Sequence, residues 1–201
     1  MIDKHKVLDT INSRTHIELE LGCGNRKRID NSIGIDVLDY ECVDIVGDVF
    51  DVLKHFPNSS VSAIYSYHFF EHISDLSMLM DELSRVLKRR AILEIVVPHF
   101  SNPYFYSDHT HKLSFGLYTF CYFTSNPFFK RSVPSYNKEI KYQLVGVDLI
   151  FKSYPPSYFR HGIKIVIGKI VNSTNYMKEF YEENLCYLFP CYEIKYRLRK
   201  S

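Results

Sequence analysis

Three acids and two glycines define the chemistry open to the first fifty residues. The stretch Glu18-Leu19-Glu20-Leu21-Gly22-Cys23-Gly24-Asn25-Arg26-Lys27 is followed, twelve residues after Gly24, by Ile35-Asp36, and then by Val46-Gly47-Asp48-Val49. Gly22 and Gly24 lack side chains, so a ligand can approach the backbone amides that follow a first strand. An acid ending the next strand, Asp36, suits the two hydroxyls of a ribose. Glu20 adds a countercharge for an ammonium group, which the pyrophosphate of a dinucleotide would not tolerate. An amino-acid nucleoside is therefore favoured over NAD. The competing structural reading has the glycines turn a tight loop and the acids cap helices.

Alternating strands and helices must position these groups. Residues 16–21 form the first strand, and short β-branched runs recur at 33–37, 43–46, 61–66 and 91–97, giving about five strands. Leu76, Leu79, Met80, Leu83, Val86 and Leu87 repeat at helical spacing behind Ser74 or Asp75 as a cap, and Lys88-Arg89-Arg90 falls at the negative end of that helix. Strand, helix and strand in this order make a parallel crossover, which places the loops after the strands at one edge of the sheet. Later segments at 143–152, 164–170 and 192–199 alternate or run apolar as strands do, and 173–184 reads as a helix. Gly24 to Asp36 and Asp36 to Asp48 are each too short for a strand plus a three-turn helix. Two crossover helices must be shortened, and one sheet face is expected to need cover from the aromatic C-terminal third or a second subunit.

Composition excludes several classes. The 201 residues are 46% hydrophobic and carry 25 Lys+Arg against 23 Asp+Glu, so no basic surplus makes nucleic acid an obligatory partner. No apolar run approaches the length of a spanning helix, and the N-terminus lacks a signal-peptide stretch, so a soluble cytoplasmic protein without membrane attachment is expected. The five cysteines, odd in number and never spaced C-x2-C, read as reduced thiols. The 16 Tyr and 15 Phe gather after Tyr65, as core, acceptor pocket or interface. Lys195, Arg197, Arg199 and Lys200 read as a solvated strand end.

Over roughly residues 15–125 the sequence resembles the class I S-adenosylmethionine-dependent methyltransferases of the compact small-molecule type. The resemblance rests on Glu20-Leu21-Gly22-Cys23-Gly24, Asp36, Gly47-Asp48, Tyr67-His68-Phe69-Phe70-Glu71-His72, and the helix ending Glu82-Leu83-Ser84-Arg85-Val86-Leu87-Lys88, in that family's order. It implies an α/β, Rossmann-like three-layer sandwich: a mostly parallel sheet with a late antiparallel strand, here with shortened early crossover helices. By resemblance, S-adenosyl-L-methionine would be held through its methionine part by Glu20 and the backbone of Gly22, Cys23 and Gly24, through its ribose by Asp36, and through its adenine by Asp48 and Val49. Residues 66–68, with Tyr67 and His68, would close over it near its methyl group. Some compact relatives carry a lysine where Lys27 stands, which adds Lys27 to the cofactor-binding set. Arg26 replaces an expected third glycine, and Arg89-Arg90-Ala91 replaces the usual Pro-Gly-Gly.

The same resemblance makes Val97-Pro98-His99-Phe100 and Asp108-His109-Thr110-His111-Lys112 the acceptor side, so that with His68 and His72 five of nine histidines converge on one edge. Methyl transfer is an in-line displacement that needs alignment, and a hydroxyl or protonated amine acceptor must also lose a proton. His99, His109 or His111, oriented by Asp108, is the candidate general base, with loop-fixing hydrogen bonds as the alternative role. His68-Phe69-Phe70-Glu71-His72 also matches the H-x-x-E-H zinc peptidase pattern, but it follows a sheet strand and lacks a distant third ligand, so no metal is expected. The reading is one domain over 1–201, with acceptor-side loops and an aromatic extension at 98–190. It would methylate an O or N atom of a small polar metabolite, a sugar or glycan precursor among the candidates, and a homodimer is the oligomer to test. The alternative is a non-catalytic partner subunit with the same fold.

Overall fold

The computed structural model describes residues 1–125, 127–134, 136 and 141–201. Strands β1 (Ile2–Asp3), β2 (Glu18–Leu21), β3 (Ile33–Asp36) and β4 (Ile45–Val46) lead into helix α1 (Val49–Leu53). There follow β5 (Val61–Tyr67), α2 (Leu76–Val86), β6 (Leu87–Pro98), β7 (Tyr142–Ile150), α3 (Tyr158–Val171), α4 (Asn175–Asn184) and β8 (Glu193–Lys200). One sheet runs β1-β4-β3-β2-β5-β6-β8-β7. The strands from β4 to β6 are mutually parallel, while β8 pairs antiparallel with both β6 and β7. The five parallel strands expected from the β-branched runs and the late antiparallel strand are all present.

Alternation along the strands sorts the sheet into two unlike faces. Leu19, Ile64, Leu93 and Leu198 lie in register, as do Leu21, Ser66, Ile95 and Tyr196, and all are buried. On this face α2 buries Leu79, Met80, Leu83 and Val86, each worth roughly 1.5–3 kcal/mol relative to exposure. Asp75 is its cap, its side chain accepting from Met78 N at 2.9 Å. Phe120 packs edge-on against Tyr196 at 4.7 Å, and Glu182 of α4 accepts from Leu117 N at 2.7 Å, so the aromatic third is tied to this same side.

The opposite face is polar. Residues 22–32 and 37–44 connect β2, β3 and β4 through turns, and no helix lies in either connection among the described residues. The expected shortening thus proceeds to loss of both crossover helices among the described residues, and the aromatic third lies on the other face. Glu20, Tyr65, Glu94 and Arg197 are the in-register residues of this face. Glu94 pairs with Lys195 at 2.7 Å, and the Arg28 guanidinium lies 4.4 Å over the Tyr67 ring. A second difference concerns 164–170, read as strand but lying within α3. A run of Ile and Val has no distinguishing period over seven residues, so the connection between β7 and β8 decided its form. Among the described residues no helix is long and apolar enough to cross a membrane.

Candidate functional site

The glycine turn lies at the carboxyl ends of β2, β3 and β4. Gly22 and Gly24 take φ of 65° and 58°, the left-handed region that L side chains disfavour. Gly22 N donates to Ile35 O at 2.8 Å, which bends the chain over the end of β3. A Cβ on Gly22 would stand 2.5 Å from Cβ of Phe69, so the absent side chain also makes room for the loop after β5. Asp36 is fixed by two backbone donors, Gly24 N to Oδ2 at 2.8 Å and Leu38 N to Oδ1 at 2.9 Å. A carboxylate accepts about four hydrogen bonds, so about two acceptor positions remain for a pair of hydroxyls. Gly22, Ile35, Asp36, Gly47, Val49 and Phe69 line a cavity of about 50 Å³. Asp48 caps α1, accepting from Phe50 N at 2.9 Å, and stands exposed beside it. The acid, the apolar walls and the Cβ-free turn fit an adenosine laid across an open groove. The cavity alone is far below the 300–1,000 Å³ of an enclosing pocket. Cys23 is buried behind the turn; burial, then the charge of Asp36, pushes its thiol up to about 12, which leaves it inert.

Three of the expected cofactor contacts have other work. Glu20 is buried, and its carboxylate accepts from Arg28 N at 3.0 and 2.9 Å and from Ile29 N at 3.0 Å. It ties down the turns that stand in place of the first crossover helix. The Lys27 ammonium lies against Asp44 Oδ2 at 2.8 Å and donates to Ser32 O at 3.0 Å, away from the groove. Tyr67 donates to Glu94 Oε1 at 3.3 Å on the polar face.

His68, directly after β5, is held left-handed at φ 57°. Strain of this kind in a non-glycine residue persists only where the surroundings enforce it. The enforcement is electrostatic: Nε2 lies 2.9 Å from Glu193 Oε1 and Nδ1 lies 3.4 Å from Glu71 Oε1. Burial pulls the imidazolium down, but the two carboxylates outweigh it and raise its pKa from 6.5 to about 9. His68 is thus a fixed cation at neutral pH and not a base. Glu193, shared with Lys152 at 2.5 Å, is held below the usual carboxylate range by His68 and Lys152 despite its burial. A group whose folded pKa is raised contributes stability in full below its unfolded value and loses it as pH climbs through the folded one. The urea midpoint is therefore expected to fall between about pH 6.5 and 9, and His68→Asn should flatten that limb; an equally steep fall in the variant would remove His68 as its source.

The remaining histidines divide sharply. His99 is fully buried, with Nδ1 at 2.8 Å from Ser101 Oγ and Nε2 at 3.1 Å from Glu182 Oε2, so it joins the end of β6 to α4 and offers no free nitrogen. His109 is exposed. His111 Nδ1 donates to Phe105 O at 2.8 Å, and its Nε2 lies 3.5 Å from Asp108 Oδ2. Asp108 is held below the usual carboxylate range by hydrogen bonds from the Thr110 hydroxyl and then from Thr110 N. That hydroxyl donates its single proton to Asp108 Oδ1 at 2.6 Å and must therefore accept from His72 Nδ1 at 2.9 Å. This chain makes Nδ1 of His72 the donor and leaves Nε2 outside it. His72 is the residue that sequence reasoning left outside its list of bases. Its one visible signal was the pairing of Glu71-His72 with Asp108-x-Thr110-His111 across one sheet edge.

The H-x-x-E-H arrangement does not form. The segment after β5 is a single 3-10 turn, Phe70–His72, and His68 is committed to Glu193. Glu71, His72 and His111 do bring one ligand atom each within 4.8 Å of one another.

Residues 19–95 match the family described as "Methyltransferase domain". No curated protein matches the chain. Among solved structures, a SAM-dependent methyltransferase from Archaeoglobus fulgidus is 18% identical with a TM-score of 0.54, covering 98% of this chain and 92% of its own. Phosphoethanolamine N-methyltransferase 2 of Haemonchus contortus, solved with S-adenosyl-L-methionine, is 12% identical with a TM-score of 0.52, covering 98% of this chain and 52% of its own. A Haloferax volcanii complex between the Trm112 methyltransferase activator and a methyltransferase is 14% identical with a TM-score of 0.50, covering 98% and 89%. At these identities the likeness is one of fold.

Proposed function

We propose that the chain, whose residues 19–95 match the methyltransferase-domain family, is a class I S-adenosylmethionine-dependent methyltransferase that methylates an oxygen or nitrogen of a small polar metabolite in the cytoplasm, a sugar or glycan precursor. The observation that carries this reading is Asp36, pinned by Gly24 N and Leu38 N at the mouth of the groove with acceptor capacity to spare. S-adenosylmethionine supplies a methyl group on cationic sulfur, which leaves as a neutral thioether when the acceptor takes the methyl in line. Gly22, Gly24 and Asp36 hold the adenosine end, with Val49 and Asp48 beside it. One core joins Val7 to Leu198, which supports a single catalytic unit with 98–190 as the acceptor side.

The base we assign is His72, oriented by Asp108 through the Thr110 hydroxyl, with His111 stacked 5.0 Å away and His109 at the exposed rim. His99 keeps the loop in place. Nε2 of His72 takes the proton that the acceptor must lose, a contribution of about 10²–10⁴ in rate for a positioned base.

S-adenosylhomocysteine at 100 times its dissociation constant is expected to raise unfolding stability by about 2.7 kcal/mol. Asp36→Ala should abolish that shift, and His72→Ala should lower kcat about a hundredfold with the shift intact. Calorimetry and a radiolabelled methyl assay on the full chain read both. A folded protein that ignores the nucleoside ends the proposal, and an unchanged kcat in His72→Ala ends the base assignment. Binding without turnover on any acceptor would favour the non-catalytic partner subunit, which the diversion of Glu20 and Lys27 to structural work also favours.

A further inference from the structure

We propose that the cleft between the end of β7, the start of β8 and the first turn of α3 is the acceptor site, and that it takes a phosphate ester of a sugar or similar polar ring. This rests on the methyltransferase reading and names its substrate class. The cleft encloses about 630 Å³, within the range of small-molecule pockets. Tyr104, Tyr154 and Tyr192 supply aromatic walls, Lys152, Arg160 and Lys164 supply charge, and none of the lining residues is acidic.

Charge is the first argument. Lys152, Arg160 and Lys164 are the basic side chains that line the cleft, and the carboxylate set against them is Glu193, which pairs with Lys152. Glu193 already serves both His68 and Lys152. Arg160 and Lys164 have no ion-pair partner among the described residues, and Lys164 spends its ammonium on Lys152 O at 3.2 Å. Burial, then the neighbouring Arg160 charge, holds the Lys164 ammonium below its ordinary value. Two like charges kept together in a cleft with a surplus of about two positive charges call for a dianion, the charge of a phosphate monoester. Ser157 at the start of α3 also lines the cleft, so the positive end of a fourteen-residue helix adds to that field.

Shape is the second. The Tyr192 ring lies 5.7 Å from Tyr154 and 6.3 Å from Tyr104, with the Lys152 ammonium 4.7 Å over it. A ring stacked on Tyr192 with its phosphate toward Arg160 and Lys164 would use both features. Position is the third. Glu193 Oε1 contacts Lys152 on the cleft side and His68 on the other, and His68 follows the strand beside the glycine turn. The anchored anion thus borders the segment that closes over the methyl donor.

Titration calorimetry on the full chain, with and without saturating S-adenosylhomocysteine, would use glucose 1-phosphate, glucose and inorganic phosphate as probes. Glucose 1-phosphate is expected to bind most tightly, inorganic phosphate more weakly and glucose not measurably, with affinity falling as salt rises. Arg160→Gln and Lys164→Gln, on a largely solvent-facing helix, should each weaken glucose 1-phosphate at least tenfold, and their unchanged affinity for S-adenosylhomocysteine serves as the folding control. Glucose binding as well as its phosphate, or neither substitution mattering, overturns the proposal. Inorganic phosphate matching glucose 1-phosphate leaves a bare anion site and removes the sugar. Loss of nucleoside binding with phosphate-ester binding retained would defeat the methyltransferase reading instead.

Discussion

Gly22→Ala is expected to cost about 2–5 kcal/mol of folding stability and to abolish nucleoside binding. Two independent penalties add. A left-handed backbone, φ 65° here, costs an L side chain about 1–2 kcal/mol. The new Cβ would also stand 2.5 Å from Cβ of Phe69, too close for any rotamer change to relieve, and forced overpacking costs typically 1–3 kcal/mol. Gly24 separates the two. It shares the left-handed conformation at φ 58° but has nothing within 4 Å of its Cβ position, so Gly24→Ala should lose only the backbone share. Phe69→Gly removes the opposing Cβ, so Gly22→Ala placed in that background should cost only the backbone share relative to Phe69→Gly alone. Urea denaturation of the five proteins measures this. Equal losses for the two glycine variants would mean that Phe69 does not press on the turn, and the account of how the loop after β5 closes the groove would fall with it.

Much of this fold was legible because its signals are periodic. Five of the six apolar positions read at helical spacing lie in α2 behind Asp75 as its cap, while Leu87 and the Lys88-Arg89-Arg90 expected at the helix end open β6 instead, and the strands from β2 to β5 carry β-branched runs too short for helices. The polar face was also written in the chain: Glu18 and Glu20, Tyr65 and Tyr67, then Lys195, Arg197 and Arg199 alternate with buried residues. That alternation is the mark of a sheet with one apolar and one polar face. Other features had no letter to carry them. Glu20 reads as a countercharge in sequence because its partners are backbone N–H groups, which every residue except proline possesses. The roles of His99 and His72 depend on Glu182 and Thr110, separated from them by 83 and 38 positions. The cationic cleft joins Tyr104, Lys152, Arg160 and Tyr192, which only the β7–α3 connection and the antiparallel β8 bring together.

Removing the Glu20 carboxylate should destabilise the protein by about 3 kcal/mol. Hydrogen bonds to a charged group are worth about 1.5–3 kcal/mol each, and breaking a buried charged arrangement costs about 3–5 kcal/mol. Glu20 is 1% exposed and holds Arg28 N and Ile29 N, with no helix behind them to supply other acceptors. Glu20→Ala leaves those donors to water that the closed loop excludes. Glu20→Gln keeps the shape and one acceptor oxygen but turns an NH₂ toward backbone N–H groups, so a smaller loss of about 1–2 kcal/mol is expected. Both variants should also weaken nucleoside binding, because the turn that carries Gly24 loosens. A direct contact between Glu20 and the ammonium of the methionine part would weaken binding too, and adenosine tells the two apart because it has no ammonium. If Glu20 acts by holding the loop, Glu20→Gln weakens adenosine and S-adenosylhomocysteine by the same factor; if it acts as a countercharge, only S-adenosylhomocysteine suffers. Equal factors in calorimetry, with a matching fall in urea midpoint, are the expected result. A selective loss for S-adenosylhomocysteine at unchanged stability would return Glu20 to the cofactor.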